Sequence, residues 1–371
     1  MGQPPKGDFK NQHTRFERSI LRNTKLWIQF SIGIAIAVFF MWLFLRKVDW
    51  DNLKLALASA RYIYLIPAIL LALMTYVFRA FRWYYLLHEL KRIHFNRLLP
   101  PIMIGFMGNA LLPARAGEFI RAYLLSQKEK VKLTASLGTL VVDRLFDTLV
   151  LLILIAGVLM FYPFDEELFL QATGRSLEQA TFFLGLIATS GFAVLAGFTV
   201  LLYHKKDLAA RILEKVLFFL PHRMRSGIIS LFMSFTDGLH IFKNWRHMVI
   251  AVLITIVQWI FNALAFYPLF YAFGIGDKLN VVSTAVVLAS AAVGVCIPTP
   301  GYAGPFHFFV QIGLQLSNSS ISSSVGAAFA LVAHAVIFFP VVIIGILYAF
   351  KEGVSLGQIE RTSESLRAAV E

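Results

Sequence analysis

Long apolar runs, separated by short charged segments, dominate the amino-acid sequence. A helix of about 20 residues with almost no charge has the length needed to cross ~30 Å of hydrocarbon. Six runs of this kind predict membrane-spanning helices, with approximate bounds 26–45, 62–78, 135–161, 181–203, 248–273 and 325–350. The pattern therefore predicts an all-α polytopic membrane protein with about six full spans.

Two further apolar runs are short and interrupted by proline and glycine. Residues 98–112 form a run that ends at a proline, and residues 280–297 lead into "PTPGYAGP" at 298–305. A regular lipid-facing helix cannot hold such a break, because its backbone polar groups would lose their hydrogen-bond partners. We therefore predict two re-entrant helical hairpins, at about 98–127 and about 280–316, with breaks at Asn109, Pro113, Gly117, Pro300, Gly301 and Gly304.

The charges between the apolar runs predict an orientation. Four segments are basic: the tail 1–25 has a net charge of +4, segment 79–97 of +4, segment 113–135 of +3 and segment 204–247 of +5. Loop 162–180, in contrast, has a net charge of −3. Because cytoplasmic loops are enriched in Lys and Arg, the four basic segments are predicted to be cytoplasmic and the acidic loop external. Both termini then lie in the cytoplasm. Loop 46–61, at +2, weakly opposes this scheme.

The order span, span, hairpin, span occurs twice along the chain. Three crossings in the first half place the second half upside down, which is the inverted repeat of many transporters, whose substrate site lies near the membrane midplane. The predicted parts are a cytoplasmic tail (1–25), a first repeat (26–161), an external loop (162–180), a second repeat (181–350) and a second cytoplasmic tail (351–371). The second repeat includes surface helices at 204–247.

Composition supports the membrane assignment. The chain has 371 residues, of which 58% are hydrophobic and 15% charged, whereas about a quarter of a typical soluble domain is charged. A net charge of +13 would suggest nucleic acid in a soluble protein, but no nucleic-acid motif accompanies it, and basic cytoplasmic loops explain it. The single cysteine, Cys296, excludes an internal disulfide, and we predict that it is a small buried residue. No metal or cofactor is predicted.

Ionisable residues cluster at predicted membrane depth. Such residues are costly in hydrocarbon, so they usually face a cavity and pair with one another. The cluster has one group after the first break and one in the following span: Arg115, Glu118 and Arg121, then Asp143, Arg144 and Asp147. Two interpretations stay open. The residues form a structural salt-bridge network, or arginines bind a lipid phosphate while the acids orient them.

Other polar residues leave alternatives open as well. Arg79 and Arg82 either contact lipid head groups in a pathway or anchor the chain at the cytoplasmic surface, and Arg82 is the candidate lipid- or phosphate-binding residue of the two. His307 is either a proton or phosphate partner or a hydrogen-bonded histidine. Gln258 and Asn262, four residues apart in one span, either line a cavity or bridge helices.

Enzyme motifs are missing from the sequence. We find no serine nucleophile elbow, HExxH, Walker loop or glycine-rich dinucleotide turn. We therefore predict no catalytic residue and no enzyme activity. Transport without a nucleotide site would be passive or driven by a gradient, and Asp143 and Asp147 would suit proton coupling.

Four segments resemble the lysylphosphatidylglycerol synthase transmembrane family of flippase-like proteins: "RAFRWYYLL" (79–87), "GNALLPARAGEFIRAYLL" (108–125), "VVDRLFDTLVL" (141–151) and "PTPGYAGPFHFF" (298–309). The resemblance covers roughly residues 20–350. It implies a bacterial or archaeal cytoplasmic membrane protein. In two-domain relatives the membrane half is similar to a flippase for aminoacylated phospholipid, and a separate soluble domain transfers the aminoacyl group. We expect that domain, and synthase activity, to be absent here.

The family motifs fall on the charged cluster described above, and many members have glutamate where this chain has His307. The leading hypothesis is a flippase or translocase for a phosphate-bearing lipid: a phospholipid, glycolipid or polyprenyl-phosphate conjugate. Arg115 and Arg121 would bind phosphate, Glu118 and Asp143 would orient them, and the hairpins would gate. The alternatives are a non-transporting membrane partner of a lipid- or envelope-modifying enzyme and an intramembrane lipid-linked glycosyl transferase. Membrane lipid is the expected partner, and nucleic acid is not.

Overall fold

The computed structural model describes residues 31–112, 117–204 and 244–353, together with residues 211, 214 and 229. These residues form helices joined by short loops, with no strand among them. The predicted all-helical fold is therefore confirmed for this part of the chain. Several predicted features lie outside the described residues: the tail 1–25, Pro113, Arg115, most of the surface segment 204–247 and most of the tail 351–371.

The helices are numbered here in chain order. They are α1 (Ser31–Leu45), α2 (Trp50–Ser59), α3 (Leu65–Leu87), α4 (Leu99–Leu111), α5 (Gly117–Glu129), α6 (Leu133–Phe161), α7 (Glu166–Thr173), α8 (Leu177–His204), α9 (Trp245–Leu264), α10 (Tyr267–Ala272), α11 (Ser283–Cys296), α12 (Pro305–Ser317) and α13 (Ser323–Lys351). Short 3₁₀ turns cover Tyr62–Tyr64, Phe95–Arg97 and Pro300–Tyr302.

Four helical segments in the described part are long and apolar enough to cross a membrane: Tyr62–Leu87, Leu133–Phe161, Trp245–Ala272 and Ser323–Lys351. Helices α1 and α2, bent by 88°, form a fifth candidate if they count as one broken span. The predicted crossing at 181–203 coincides with α8, which has 28 residues. The chain is thus a multi-pass membrane protein with four or five candidate spans in this part. Six crossings and an inverted repeat stay predictions.

The predicted end of the second span is wrong. Helix α3 continues to Leu87 instead of ending near residue 78, so that Arg79 and Arg82 lie within it. Both guanidinium groups reach carboxylates of α6, which compensate the charges inside the bundle. Without these two arginines the net charge of segment 79–97 falls from +4 to +2. The positive sign on which the predicted orientation depends is unchanged.

Each predicted break separates two short helices that pack antiparallel to each other, but the prediction of a break at Asn109 is wrong, because Asn109 lies within α4. In the first hairpin, an ideal Cβ on Gly105 of α4 would lie 2.9 Å from the Gly117 carbonyl oxygen at the start of α5. In the second, an ideal Cβ on Gly294 of α11 would lie 2.7 Å from the Pro305 carbonyl oxygen at the start of α12. Helices of 13 or 14 residues are about 20 Å long, which is short for a crossing of ~30 Å.

The end of α4 and the turn Pro300–Tyr302 meet inside the bundle, and we call these two described regions the hairpin tips. The turn Pro300–Tyr302 contacts α4, and an ideal Cβ on Gly301 would lie 3.9 Å from the Ala110 carbonyl oxygen. Tyr302 and Ala110 belong to the same buried core. The end of α4, which precedes the first break, is therefore adjacent to the second break.

We expect Gly294→Ala to destabilise the second hairpin. The added Cβ would lie 2.7 Å from the Pro305 carbonyl oxygen and 2.9 Å from the Phe306 Cα. Because both atoms belong to the backbone, the helices must separate, at a cost of about 1–3 kcal/mol. The matched control is Gly157→Ala, since no atom lies within 4 Å of an added Cβ there. Thermal unfolding of purified protein, followed by size-exclusion fluorescence, should show a lower Tm for Gly294→Ala alone. Equal Tm values would contradict the close approach.

Candidate functional site

A cavity of about 380 Å³ lies where the hairpin tips meet α3, α6, α9 and α13. Its charged wall carries Arg79, Asn109, Glu118, Arg144 and Asp147. The remaining lining is largely apolar and includes the rings of Trp259, Phe266, Tyr302, Phe306 and Phe338. The volume falls in the range of small-ligand pockets. The cavity is thus suited to a ligand with one charged and one apolar end.

Behind the charged wall, Asp143 is the centre of an ion-pair network. Its carboxylate accepts hydrogen bonds from Arg82 Nε at 2.6 Å, Arg121 Nη1 at 3.0 Å and Arg144 Nη2 at 3.0 Å. Asp143 and Arg82 are completely buried, and Arg121 is almost so. Since Arg82 comes from α3, Arg121 from α5 and Asp143 from α6, the network attaches the first hairpin to the spans. We call Arg82, Arg121 and Asp143 the Asp143 network.

Asp147, one helical turn further along α6, faces both this network and the cavity. Its carboxylate accepts hydrogen bonds from Arg82 Nη1 at 2.7 Å, Arg79 Nη1 at 3.0 Å and Gln258 Nε2 at 3.3 Å. Arg144 Nη2 lies 3.3 Å from Asp147 Oδ2, the oxygen that also accepts from Arg79. Asp147 therefore ties α3 and α9 to α6 and fixes Arg79 at the cavity wall.

Aromatic rings support two of the arginines. The Arg121 guanidinium lies 3.9 Å from the centroid of the Trp83 ring, and that of Arg79 lies 4.8 Å from the Phe106 ring. Trp83 Nε1 donates a hydrogen bond to Thr139 Oγ1 at 3.0 Å, which fixes the indole. Cation–π contacts of this kind are strongest where the cation is desolvated. Both guanidinium planes are thus held in one orientation.

The positive and negative charges of the cluster do not cancel. Its described members are four arginines and three carboxylates, which leaves one positive charge: Arg79, Arg82, Arg121 and Arg144 against Glu118, Asp143 and Asp147. At the cavity wall, Arg79 Nε and Arg144 Nε form no hydrogen bond with a described residue, although Arg144 Nε lies 3.6 Å from Glu118 Oε1, and the acceptors Asn109 Oδ1 and Glu118 Oε2 also lack a hydrogen bond. Buried donors normally have partners. The surplus charge and these donors favour an anionic group at this wall.

The predicted site residues divide into two sets. Asn109, Glu118, Arg144 and Asp147 line the cavity. The Asp143 network lies behind the wall, and Gly117 forms the close contact of the first hairpin. The structure therefore gives Arg121 a position beside Trp83 rather than in the cavity. Arg115 and Pro113 lie outside the described residues.

Arg79 lines the cavity, although the sequence pattern singled out Arg82 of this pair as a site residue. Of the two interpretations open for these arginines, the structure disfavours surface anchors, since Arg82 is fully buried. Their spacing of three residues on one helix was a signal that both point the same way. Gln258 bridges α9 to Asp147, and Asn262 lines the cavity.

His307 holds the backbone of the second break. Its Nδ1 accepts a hydrogen bond from the Gly304 N–H at 3.3 Å, and its ring stacks on His334 at 4.6 Å. His334 Nε2 donates to the Gly301 carbonyl oxygen at 2.7 Å. Gly301 and Gly304 have φ values of 60° and 86°, which glycine adopts without strain. His307 is 4% exposed and does not line the cavity, which favours the hydrogen-bonded alternative.

The prediction that Cys296 is a small buried residue is wrong. Cys296 is the last residue of α11, where the helix ends at the edge of the cavity, and its side chain is exposed there. A helix end beside a break is covered on fewer sides than the helix interior, which explains the exposure. The described residues contain no group of three or more His, Cys, Asp or Glu side chains that could hold a metal ion.

A separate polar contact joins the Leu87 end of α3 to the start of α9. Asn244 Nδ2 donates to Glu89 Oε1 at 3.1 Å, and His247 Nδ1 lies 2.8 Å from the same oxygen. Burial raises the pKa of Glu89, but the hydrogen bonds from Asn244 and His247 outweigh it, so that its pKa lies below the ordinary value. The Glu89 carboxylate therefore links the end of α3 to the start of α9.

Comparisons with known proteins agree on one family. The family model described as "Lysylphosphatidylglycerol synthase TM region" matches residues 30–345. The chain is similar to a UPF0104 membrane protein of Methanocaldococcus jannaschii, with 23% identity over 325 residues, which are 85% of this chain and 92% of that protein. A UPF0104 membrane protein of Methanothermobacter thermautotrophicus is 22% identical over 333 residues, 85% of this chain and 93% of its own.

A shorter match links the chain to the glycosyltransferase AglD of Haloferax volcanii. The two are 26% identical over 149 residues. This region is 39% of the present chain and 24% of AglD. The similarity is therefore local in both proteins.

Proposed function

This chain belongs to the lysylphosphatidylglycerol synthase transmembrane family, and we propose that it moves a phosphate-bearing lipid across the membrane. The observation that carries this proposal is the cavity at the meeting point of the two hairpin tips, whose lining combines charged side chains with aromatic rings. Broken helices that meet near the middle of a bundle are a recurrent design of transporter substrate sites.

The charged wall suits a lipid phosphate. Arg79 and Arg144 would bind the phosphate oxygens with their guanidinium groups, whose Nε atoms form no hydrogen bond with a described residue, because the guanidinium fork matches phosphate geometry. Glu118, whose Oε1 lies 3.6 Å from Arg144 Nε, would orient Arg144. The Asp143 network would act as a positioning scaffold. Arg115 stays a proposed further ligand.

The aromatic side of the cavity suits the apolar part of the same molecule. Trp259, Phe266, Phe306 and Phe338 offer rings that a lipid chain or a polyprenyl group could contact. The ligand class thus covers phospholipids, glycolipids and polyprenyl-phosphate conjugates. In this proposal the hairpin tips gate the cavity, and the protein lies in a prokaryotic cytoplasmic membrane with both termini inside.

Reconstitution tests the proposal. Purified protein in vesicles should move a fluorescent phospholipid, glycolipid or polyprenyl-phosphate probe between leaflets faster than empty vesicles do, as measured by dithionite quenching. Arg144→Gln should slow movement about tenfold or more, since it removes a charge-assisted hydrogen bond. The control is Arg246→Gln, at an exposed arginine that does not line the cavity. Rates equal to those of empty vesicles for all three probes, with and without a proton gradient, would refute lipid movement.

The local match to a glycosyltransferase favours a second candidate, an intramembrane transferase acting on a lipid-linked sugar. The same cavity would then hold the lipid phosphate while the sugar is transferred. Purified protein incubated with a radiolabelled lipid-linked sugar and an acceptor would separate the two. Turnover of the sugar without movement of the probe lipids would support the transferase, and movement without turnover would support the flippase.

A further inference from the structure

A second concave site lies at the Leu87 end of α3. It has a volume of about 440 Å³ and is lined by Phe81, Tyr84, Tyr85, Arg92, Ile93, His94 and Phe95. None of these residues lines the cavity between the hairpin tips. Because α3 belongs to the candidate span Tyr62–Leu87, this pocket lies where hydrocarbon meets water. Lipid head groups occupy that depth.

The walls of the pocket are aromatic. Phe81 stacks on Phe95 with ring centroids 4.3 Å apart, and Tyr84 packs edge-on against Tyr85 at 5.3 Å. Tyrosine at a membrane surface presents an apolar ring to the hydrocarbon and a hydroxyl group to the head groups. The pocket therefore offers hydrogen-bonding groups on apolar walls.

The pocket also holds a cation, Arg92, that has no counterion among the described residues. Lys91 and Arg97, on either side of the loop, pair with Glu129 at 3.3 and 3.1 Å. The nearby Glu89 carboxylate is hydrogen-bonded to Asn244 and His247. Arg92 is exposed and forms no ion pair with a described residue. Its charge is therefore available to an anion in the pocket.

An apolar stripe leads away from the pocket along the outer face of α3. Ile66, Leu70, Met74 and Phe81 are 41–57% exposed and share one helical face by their spacing. The stripe is about 22 Å long at 1.5 Å per residue. That length suits an acyl chain whose head group sits at the Phe81 end.

We infer that this pocket binds the head group of an anionic phospholipid, with the Arg92 guanidinium on the phosphate and an acyl chain along the α3 stripe. Tyr84 and Tyr85 supply hydroxyl groups for the glycerol and phosphodiester oxygens. A zwitterionic lipid carries its own cation beside the phosphate, so the electrostatic attraction between that phosphate and Arg92 is weaker. The site holds a resident lipid and does not depend on the proposed transport.

The test uses the full chain in nanodiscs of phosphatidylcholine with a minor fraction of phosphatidylglycerol. Native mass spectrometry after gentle delipidation counts the phosphatidylglycerol retained by each variant. The wild type should bind the anionic lipid about fivefold more tightly than Arg92→Gln, as expected for one surface arginine. The matched control is Arg246→Gln, an exposed arginine at the start of α9, which contacts the same end of α3.

Two further arms identify the source of the phosphate and guard against misfolding. Inorganic phosphate at millimolar concentration should not displace the lipid, because it lacks the acyl chain. Displacement would mean a free-phosphate site and would overturn the lipid assignment. Arg92→Lys should recover most of the binding while leaving the walls intact. Equal retention by the wild type and Arg92→Gln, or equal retention of phosphatidylcholine and phosphatidylglycerol, would also overturn it. The outcome is independent of any flipping assay.

Discussion

Replacement of Asp143 by alanine should remove most folded protein from the membrane. Asp143 is fully buried and accepts hydrogen bonds from three arginines. Without it, Arg121 loses its only described carboxylate within ion-pair distance while its guanidinium stays buried against Trp83. Breaking a buried pair by removing one partner costs about 3–5 kcal/mol. That is a large share of the total stability of a typical domain.

Two control variants separate loss of charge from loss of packing. Asp143→Asn keeps the shape and one acceptor oxygen, so it should lose less stability than Asp143→Ala. Thr148→Ala changes an exposed cavity residue on the same helix and should unfold at the wild-type temperature. Fluorescence-detected size exclusion after heating gives the Tm of each. A wild-type Tm for Asp143→Ala would show that the network does not hold the hairpin.

Much of the helical framework could be predicted from the sequence, because apolar length reports membrane crossing directly. The error in α3 has a specific cause. Arg79 and Arg82 resemble the charged end of a span, and only the carboxylates of α6, more than sixty residues later, make them tolerable inside the bundle. A pairing between distant segments cannot be seen in the charge pattern of one segment.

The cavity was only partly predictable for the same reason. The motifs pointed to Glu118, Arg144 and Asp147, which do line it. Helical spacing alone puts Glu118 and Arg121 on one face of α5, but Trp83 on α3 covers Arg121 and leaves Glu118 at the wall. Proline and glycine marked both breaks, yet the contact between Gly301 and Ala110 depends on how the hairpins pack. Cys296 was missed because its exposure comes from its place at the end of α11, beside the break.

That exposure offers a direct test of whether lipid passes through the cavity. Cys296 is the single cysteine of the chain, and it lines the cavity. A maleimide carrying a group the size of fluorescein would fill much of a space of about 380 Å³. We expect labelled wild-type protein to lose lipid movement almost completely, back to the rate of empty vesicles. The measurement is the dithionite-quenching rate before and after labelling.

The controls decide whether a loss means blockage. Cys296→Ser should move lipid at the rate of the unlabelled wild type, because serine keeps the size of the side chain. The variant should not react with the maleimide, because it lacks the thiol. Labelled protein should elute at the wild-type volume, which excludes unfolding. A phosphate-bearing lipid that occupies the cavity should also slow the labelling reaction, since it would cover the Cys296 thiol. Full movement by completely labelled protein would mean that the lipid takes another path, and the charged wall would then serve the stability of the hairpin alone.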